Sequence, residues 1–139
     1  MHELLVEAMG AYFRAGSALD VDALDACYDD GFENVRVDRA GRTVVLGKAQ
    51  FMARFRELRS RGGALASPED GPTSMPVSTV HGDQASIVVH RVKDGAPVLY
   101  TFVWRIADGR PTRLLREFTV EDDLTPLLRA IRAAAPAAR

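Results

Sequence analysis

The stretch Tyr100-Thr101-Phe102-Val103-Trp104-Arg105-Ile106, closed by Ala107-Asp108-Gly109-Arg110, decides the fold. Side chains of an extended strand alternate between its faces, so Val98, Tyr100, Phe102, Trp104 and Ile106 share one face and Leu99, Thr101 and Val103 the other. Both faces are apolar. Helices of the same chain can cover one face; the other then calls for a second subunit, and a homodimer is the expected assembly. Asp108-Gly109 marks a tight turn. Two similar turns, His81-Gly82-Asp83-Gln84 and Lys93-Asp94-Gly95-Ala96, divide the neighbouring sequence into strands at about Ser74–His81, Gln84–Lys93, Pro97–Ile106 and Arg113–Glu121. Turns this short make a meander.

Upstream the apolar period is helical. Leu4, Leu5, Ala8, Ala11, Tyr12 and Ala15 form one stripe of a helix from about Glu3 to Ala15, broken by Gly16-Ser17. Asp20 caps a short second helix in which Leu24, Cys27 and Tyr28 share a face, with Gly31 as its end. Phe32–Val37 and Thr43–Leu46 read as a hairpin, and Phe51, Met52, Phe55 and Leu58 line a third helix stopped by Gly62-Gly63. Residues 64–72 have the composition of a loop. Thr125-Pro126 opens a short C-terminal helix carrying Leu127, Leu128 and Ile131. The order predicts an α+β domain over residues 1–132, with three N-terminal helices and an early hairpin packed on a curved antiparallel sheet, and a frayed tail at 133–139.

The chain has 139 residues, of which 18 are basic and 19 acidic, for a formal net charge of −1. So balanced a charge offers no field for nucleic acid or an anionic membrane, and neither is an expected partner. No apolar run approaches the ~18 residues of a membrane helix, and Glu3 and Glu7 do not suit a secretory leader. Cys27 is the single cysteine, so no internal disulfide or Cys-x-x-Cys pair exists, which fits a reducing, cytoplasmic setting. Histidines and acids show no metal-ligand spacing, and neither a metal nor another cofactor is expected.

The pattern Ala11-Tyr12-Phe13, Asp20-Val21-Asp22-Ala23-Leu24, Tyr28-Asp29-Asp30-Gly31-Phe32, Gly47-Lys48 and Tyr100 through Ile106 with Asp108-Gly109-Arg110 resembles the nuclear transport factor 2-like (NTF2-like) superfamily, in its SnoaL-like branch. The resemblance spans nearly the whole chain and implies a cone-shaped, cystatin-like α+β fold. It says little about reaction, because the superfamily includes steroid isomerases, polyketide cyclases, a dehydratase and non-enzymes. Carried over from the steroid isomerases, it places an oxyanion-donating tyrosine at Tyr12. It also places Arg36 where the catalytic base belongs and Phe102 where a second acid belongs. A guanidinium cannot accept a proton near neutrality, so isomerase chemistry is not expected unless the register brings Asp38 inward. Superfamily epoxide hydrolases use two acids and an arginine. Arg36, Asp38 and Glu117 have those types on strands that do not match.

With the Tyr100, Phe102, Trp104 face turned to the cone as the resemblance implies, Tyr12, Arg36, Arg91, Arg116 and Phe118 join it as ligand-binding candidates. Arg116 is the expected anchor for an acid, against a structural ion pair with Asp22, Glu33 or Asp38. His81 lies in a turn and His90 on the presumed dimer face, which argues against either as a base. Cys27 reads as core filler. The reading is a protein that binds a small, apolar, acidic molecule. One alternative is a SnoaL-like enzyme, a cyclase, isomerase or hydrolase acting on a polycyclic or terpenoid substrate. The other is a dimeric scaffold with a filled cone. Asp38 and Glu117 are the candidate catalytic residues: either one inward favours the enzyme, both outward the binder.

Overall fold

A computed structural model describes residues 1–63, 73–93 and 95–134. The elements are α1 (His2–Ala18), α2 (Val21–Cys27), β1 (Tyr28–Asp38), β2 (Thr43–Gly47), α3 (Lys48–Ser60), β3 (Ser74–His81), β4 (Gln84–Lys93), β5 (Ala96–Ala107), β6 (Arg110–Glu121) and α4 (Thr125–Ala134). The six strands form one open sheet in the order β2-β1-β6-β5-β4-β3. The α+β class and the meander of β3 to β6 are as read from the sequence, but the sheet is mixed rather than antiparallel, because β1 runs parallel to β6. Local turns set the direction of the meander. The seam between β1 and the last strand joins segments some 85 residues apart, and no local signal reports its sense.

α1 runs through Gly16 and Ser17 instead of breaking there, since Ala15 and Gly16 supply the carbonyls that accept from its terminal N–H groups. It ends at Leu19, whose φ of 50° is left-handed although the residue is apolar; its burial offsets the strain of that conformation. Asp20 caps α2 by accepting from the Ala23 N–H at 3.2 Å. That helix stops at Cys27, because Tyr28 is already extended. Gly31 is therefore not its end but part of a bulge in β1, where pairing steps from Tyr28↔Leu114 to Glu33↔Arg116. Phe51, Met52 and Phe55 bury the inner face of α3, and beyond it Gly62 turns the chain at a φ of 68°. The expected loop at 64–72 lies outside the described residues. So do positions 135–139 of the expected tail, whereas 133 and 134 complete α4.

A second bulge decides which side chains enter the cone. Val103 pairs with Arg116, but the next residue, Trp104, pairs with Leu114, leaving Leu115 as an extra residue of β6. One inserted residue reverses the alternation beyond it. Leu114 and Leu115 are both buried, and from there Glu117 and Thr119 face inward while Arg116, Phe118 and Val120 face out.

Candidate functional site

Cross-strand neighbours line the concave face in rows about 7 Å apart. The deepest holds Ala85, Trp104, Leu114 and Tyr28, all buried. Above it lie Ile87, Phe102, Glu117 and Asn34, then Val89, Tyr100, Thr119 and Arg36. At the rim come Arg91 opposite Val98, and Asp38 beside Glu121. The helices roof this surface with aromatic rings. From α1, Tyr12 meets Phe102 edge-on at 5.7 Å between centroids, and its hydroxyl hydrogen-bonds that of Tyr28 at 2.5 Å. From α3, Phe51 and Phe55 pack around Tyr28. Trp104 donates its indole N–H to Met9 Sδ at 3.3 Å, closing the bottom.

Glu117 is the chemically unusual member. It is 5% exposed, and among the described residues its Oε2 has no hydrogen-bond partner. Burial pushes its pKa up to about 7, against the opposing charges of Arg36 and Lys93 and the hydrogen-bonding side chain of Asn34. Glu117 in turn raises its neighbours. Tyr12 and Tyr28 are held well above the usual phenol range by burial and by that carboxylate, and Tyr100 is raised to about 12 for the same two reasons. All three hydroxyls thus keep their protons near neutrality and remain donors.

Arg36 faces inward as the resemblance implied, but its charge is already committed. Its Nε donates to Asn34 Oδ1 at 2.7 Å, its Nη1 reaches Glu121 Oε1 at 2.9 Å, and its guanidinium lies 5.9 Å from the Phe51 ring centre. Asn34 passes the network on to Thr119 at 3.5 Å.

Asp38 also points inward, since it lies two residues from Arg36 on the same strand. It holds the structure together rather than offering a base. Its Oδ1 accepts from the Ala40 and Arg42 N–H groups at 3.1 and 3.0 Å. Its Oδ2 accepts from Arg42 Nε at 2.9 Å and from the Leu124 N–H at 3.0 Å. The Leu124 N–H, aided by Arg42, lowers its pKa to about 2 against the cost of burial.

Tyr12, Tyr100, Phe102 and Trp104 lie in the cone as expected, and Arg91 stands at its rim with its guanidinium 4.4 Å from the centre of the Phe13 ring. Arg116 and Phe118 do not. They lie on the convex face, where Phe118 is 43% exposed. Arg116 there sits 3.4 Å from Glu33 and donates to the Gly31 carbonyl at 3.0 Å. The structural pairing considered for Arg116, with Glu33 as partner, is the one present. Sequence reading missed Tyr28, Asn34 and Thr119. Asn34 was discoverable: it is an amide two residues from Phe32 and two from Arg36, on one face of a strand otherwise rich in valine.

His81 and His90 are exposed, and His90 pairs with Leu99 on the convex face. Cys27 is pushed up to about 11 by burial, which keeps it a thiol. Among the described residues no three His, Cys, Asp or Glu side chains are grouped to hold a metal ion. Among them, too, no helix is long and apolar enough to cross a membrane.

No family model matches the chain, and no curated protein matches it. Solved structures do. An NTF2-like protein of unknown function from Silicibacter pomeroyi superposes with a TM-score of 0.64 at 15% identity, over 84% of this chain and 92% of that one. An NTF2-like protein from Cytophaga hutchinsonii gives 0.64 at 18% identity, over 85% and 95%. One of unknown function from Shewanella baltica gives 0.61 at 12%, over 84% and 90%. The chain has the NTF2-like fold. At such identities the likeness extends to the backbone alone, so chemistry within the NTF2-like cone has to be argued from its own side chains.

Proposed function

We propose that this NTF2-like cone binds a small, largely apolar molecule and that Glu117 exchanges a proton with it. The observation carrying the proposal is the enclosed, unpartnered Oε2 of Glu117, set between Phe102 and Asn34 beneath a roof of aromatic rings. A buried oxygen without a donor is costly in a finished core and useful in a site, where a ligand supplies the missing partner. Its near-neutral pKa populates both forms at once: the carboxylate can take a proton from a weakly acidic C–H or O–H, and the acid can return it. In the Tyr12–Tyr28 pair one hydroxyl donates to the other, leaving the second free to donate to a ligand oxygen that gains charge. This favours an enzyme over a passive binder. The acidic-ligand reading, meanwhile, loses the anchor it had in Arg116.

The test is deuterium incorporation. A panel of enolisable cyclic and aryl ketones in deuterated buffer is expected to exchange faster with the protein, and the rate should fall roughly 10² to 10⁴-fold in Glu117→Gln. Equal exchange with wild type and variant would remove Glu117 from the role.

A filled scaffold remains the rival reading. The contacts running from Tyr12 through Tyr28 to Phe32, Phe51 and Phe55 favour it, with centroids 4.4 to 6.3 Å apart. Under that reading no panel member raises the melting temperature.

We also propose a homodimer through the convex face, where Val77, Leu99, Phe118 and Val120 are exposed. Sedimentation of Val103→Glu at micromolar concentration should show a monomer against a wild-type dimer.

A further inference from the structure

The charges at the cone rim do not balance. Among the described residues, Arg36 is neutralised by Glu121 at 2.9 Å, and Arg42 is shared between Asp38 and Asp123 at 2.7 Å each; Arg54 and Arg91 enter no such pair. Arg91 is the inward residue of β4 one step beyond buried Val89, and it lies flush with Phe13 of α1. Stacking on a ring fixes a guanidinium without consuming its N–H donors. Arg54 follows Phe51 by three residues on α3 and is exposed. Partial burial and the like charge of Arg36 lower its pKa, against the attraction of Glu121, Glu117 and Glu57. A guanidinium held against a ring with no carboxylate partner keeps its donors available to an anion.

We propose that Arg91, aided by the exposed Arg54 of α3, forms an oxyanion site, and that the ligand of this cone is an amphipathic monoanion. Its carboxylate stays at the rim. Its apolar body passes Phe13 and Tyr100 and descends two rows, roughly 13 Å, so that only an uncharged end meets Glu117. This polarity keeps the two negative groups apart. A carboxylate placed at the bottom would face Glu117 directly, whereas at the rim the nearest acids, Glu121 and Asp38, are already paired with Arg36 and Arg42. The proposal rests on the cone being a binding site. It replaces Arg116 with Arg91, which faces the right way.

The experiment compares acids with their methyl esters, which share shape and differ in charge. Decanoic acid, 6-phenylhexanoic acid and 1-pyrenebutyric acid, each with its ester, are titrated by calorimetry into wild type, Arg91→Met, Arg91→Lys and Arg54→Met. A charge-assisted contact predicts that wild type prefers acids by ten- to a hundredfold. Arg91→Met should lose most of that preference, Arg91→Lys should keep it, and Arg54→Met should weaken it a few-fold. Raising the salt concentration should reduce acid binding and leave ester binding unchanged. If acids and esters bind wild type equally, the rim site is wrong while the binding cone stands. Binding of neither would overturn both. A preference that persists in Arg91→Met and Arg54→Met alike would place the anion elsewhere and sink the assignment.

Discussion

Two carboxylates of the concave face, only a few side chains apart, have opposite fates. At the rim, Asp38 is enclosed and each of its oxygens accepts two hydrogen bonds, so it ties the β1–β2 turn to the start of α4. One row above the floor, Glu117 is equally enclosed, has an oxygen with no partner among the described residues, and lies beside Phe102. Their pKa values diverge accordingly, to about 2 for Asp38 and about 7 for Glu117. Burial alone does not set the state of an acid; the supply of donors does. The carboxylate that stabilises the fold is thereby the one unavailable for chemistry.

The largest expected effect is at Asp38. Removing its carboxylate in Asp38→Ala orphans the Ala40, Arg42 and Leu124 N–H groups together, and the melting temperature should drop on the order of 10 °C. Because its folded pKa lies below the unfolded value, the wild-type advantage should be complete above about pH 4 and disappear as pH falls through about 2. A thermal scan showing no loss would break the contrast at its structural end.

Glu117→Gln should act in the opposite direction. The folded pKa is raised, so the native state holds a proton that the unfolded chain releases, and wild-type stability declines as pH climbs from about 4.5 to about 7, then levels off. A neutral isostere avoids that decline. The variant should match wild type near pH 4 and exceed it by about 3 kcal/mol at pH 8, measured by denaturant unfolding at both pH values. A variant less stable than wild type at pH 8 would mean that Glu117 has a structural partner after all.

Arg116→Met gives the smallest change. Its pairing with Glu33 is half-exposed, and such pairs contribute about 0.2 to 1 kcal/mol. Ligand affinity should stay within a factor of two of wild type by calorimetry. A larger loss would place Arg116 in the site and refute the reversed alternation beyond Leu115.

That bulge explains where sequence reading succeeded and failed. Tyr100, Phe102 and Trp104 could be placed on one face because an uninterrupted strand obeys its period of two, and the family resemblance turned that face to the cone, since both faces are apolar. On β6 the same rule, extended from Leu114, sent Arg116 and Phe118 inward. Hydropathy reinforced the error, since the residues that face out, Phe118 at 43% and Val120 at 51% exposure, are apolar while the buried ones are Glu117 and Thr119. The adjacent leucines 114 and 115 were the available clue, as two consecutive buried side chains cannot belong to a regular strand with one covered face. Gly31, read as a helix stop, lies instead in the bulge of β1.

The sequence by itself determined the α+β class, the meander, the helices and the aromatic lining of β5. These follow from short-range periodicity, capping and turn chemistry, which act within about ten residues. Only the tertiary structure decided the parallel seam of β1 with β6, the outward position of Arg116, the Tyr12–Tyr28 hydroxyl contact and the buried Glu117 carboxylate, whose Oε2 has no partner among the described residues. Each depends on registering segments 16 to about 85 residues apart, and a slip of one residue between such segments exchanges a buried acid for an exposed one.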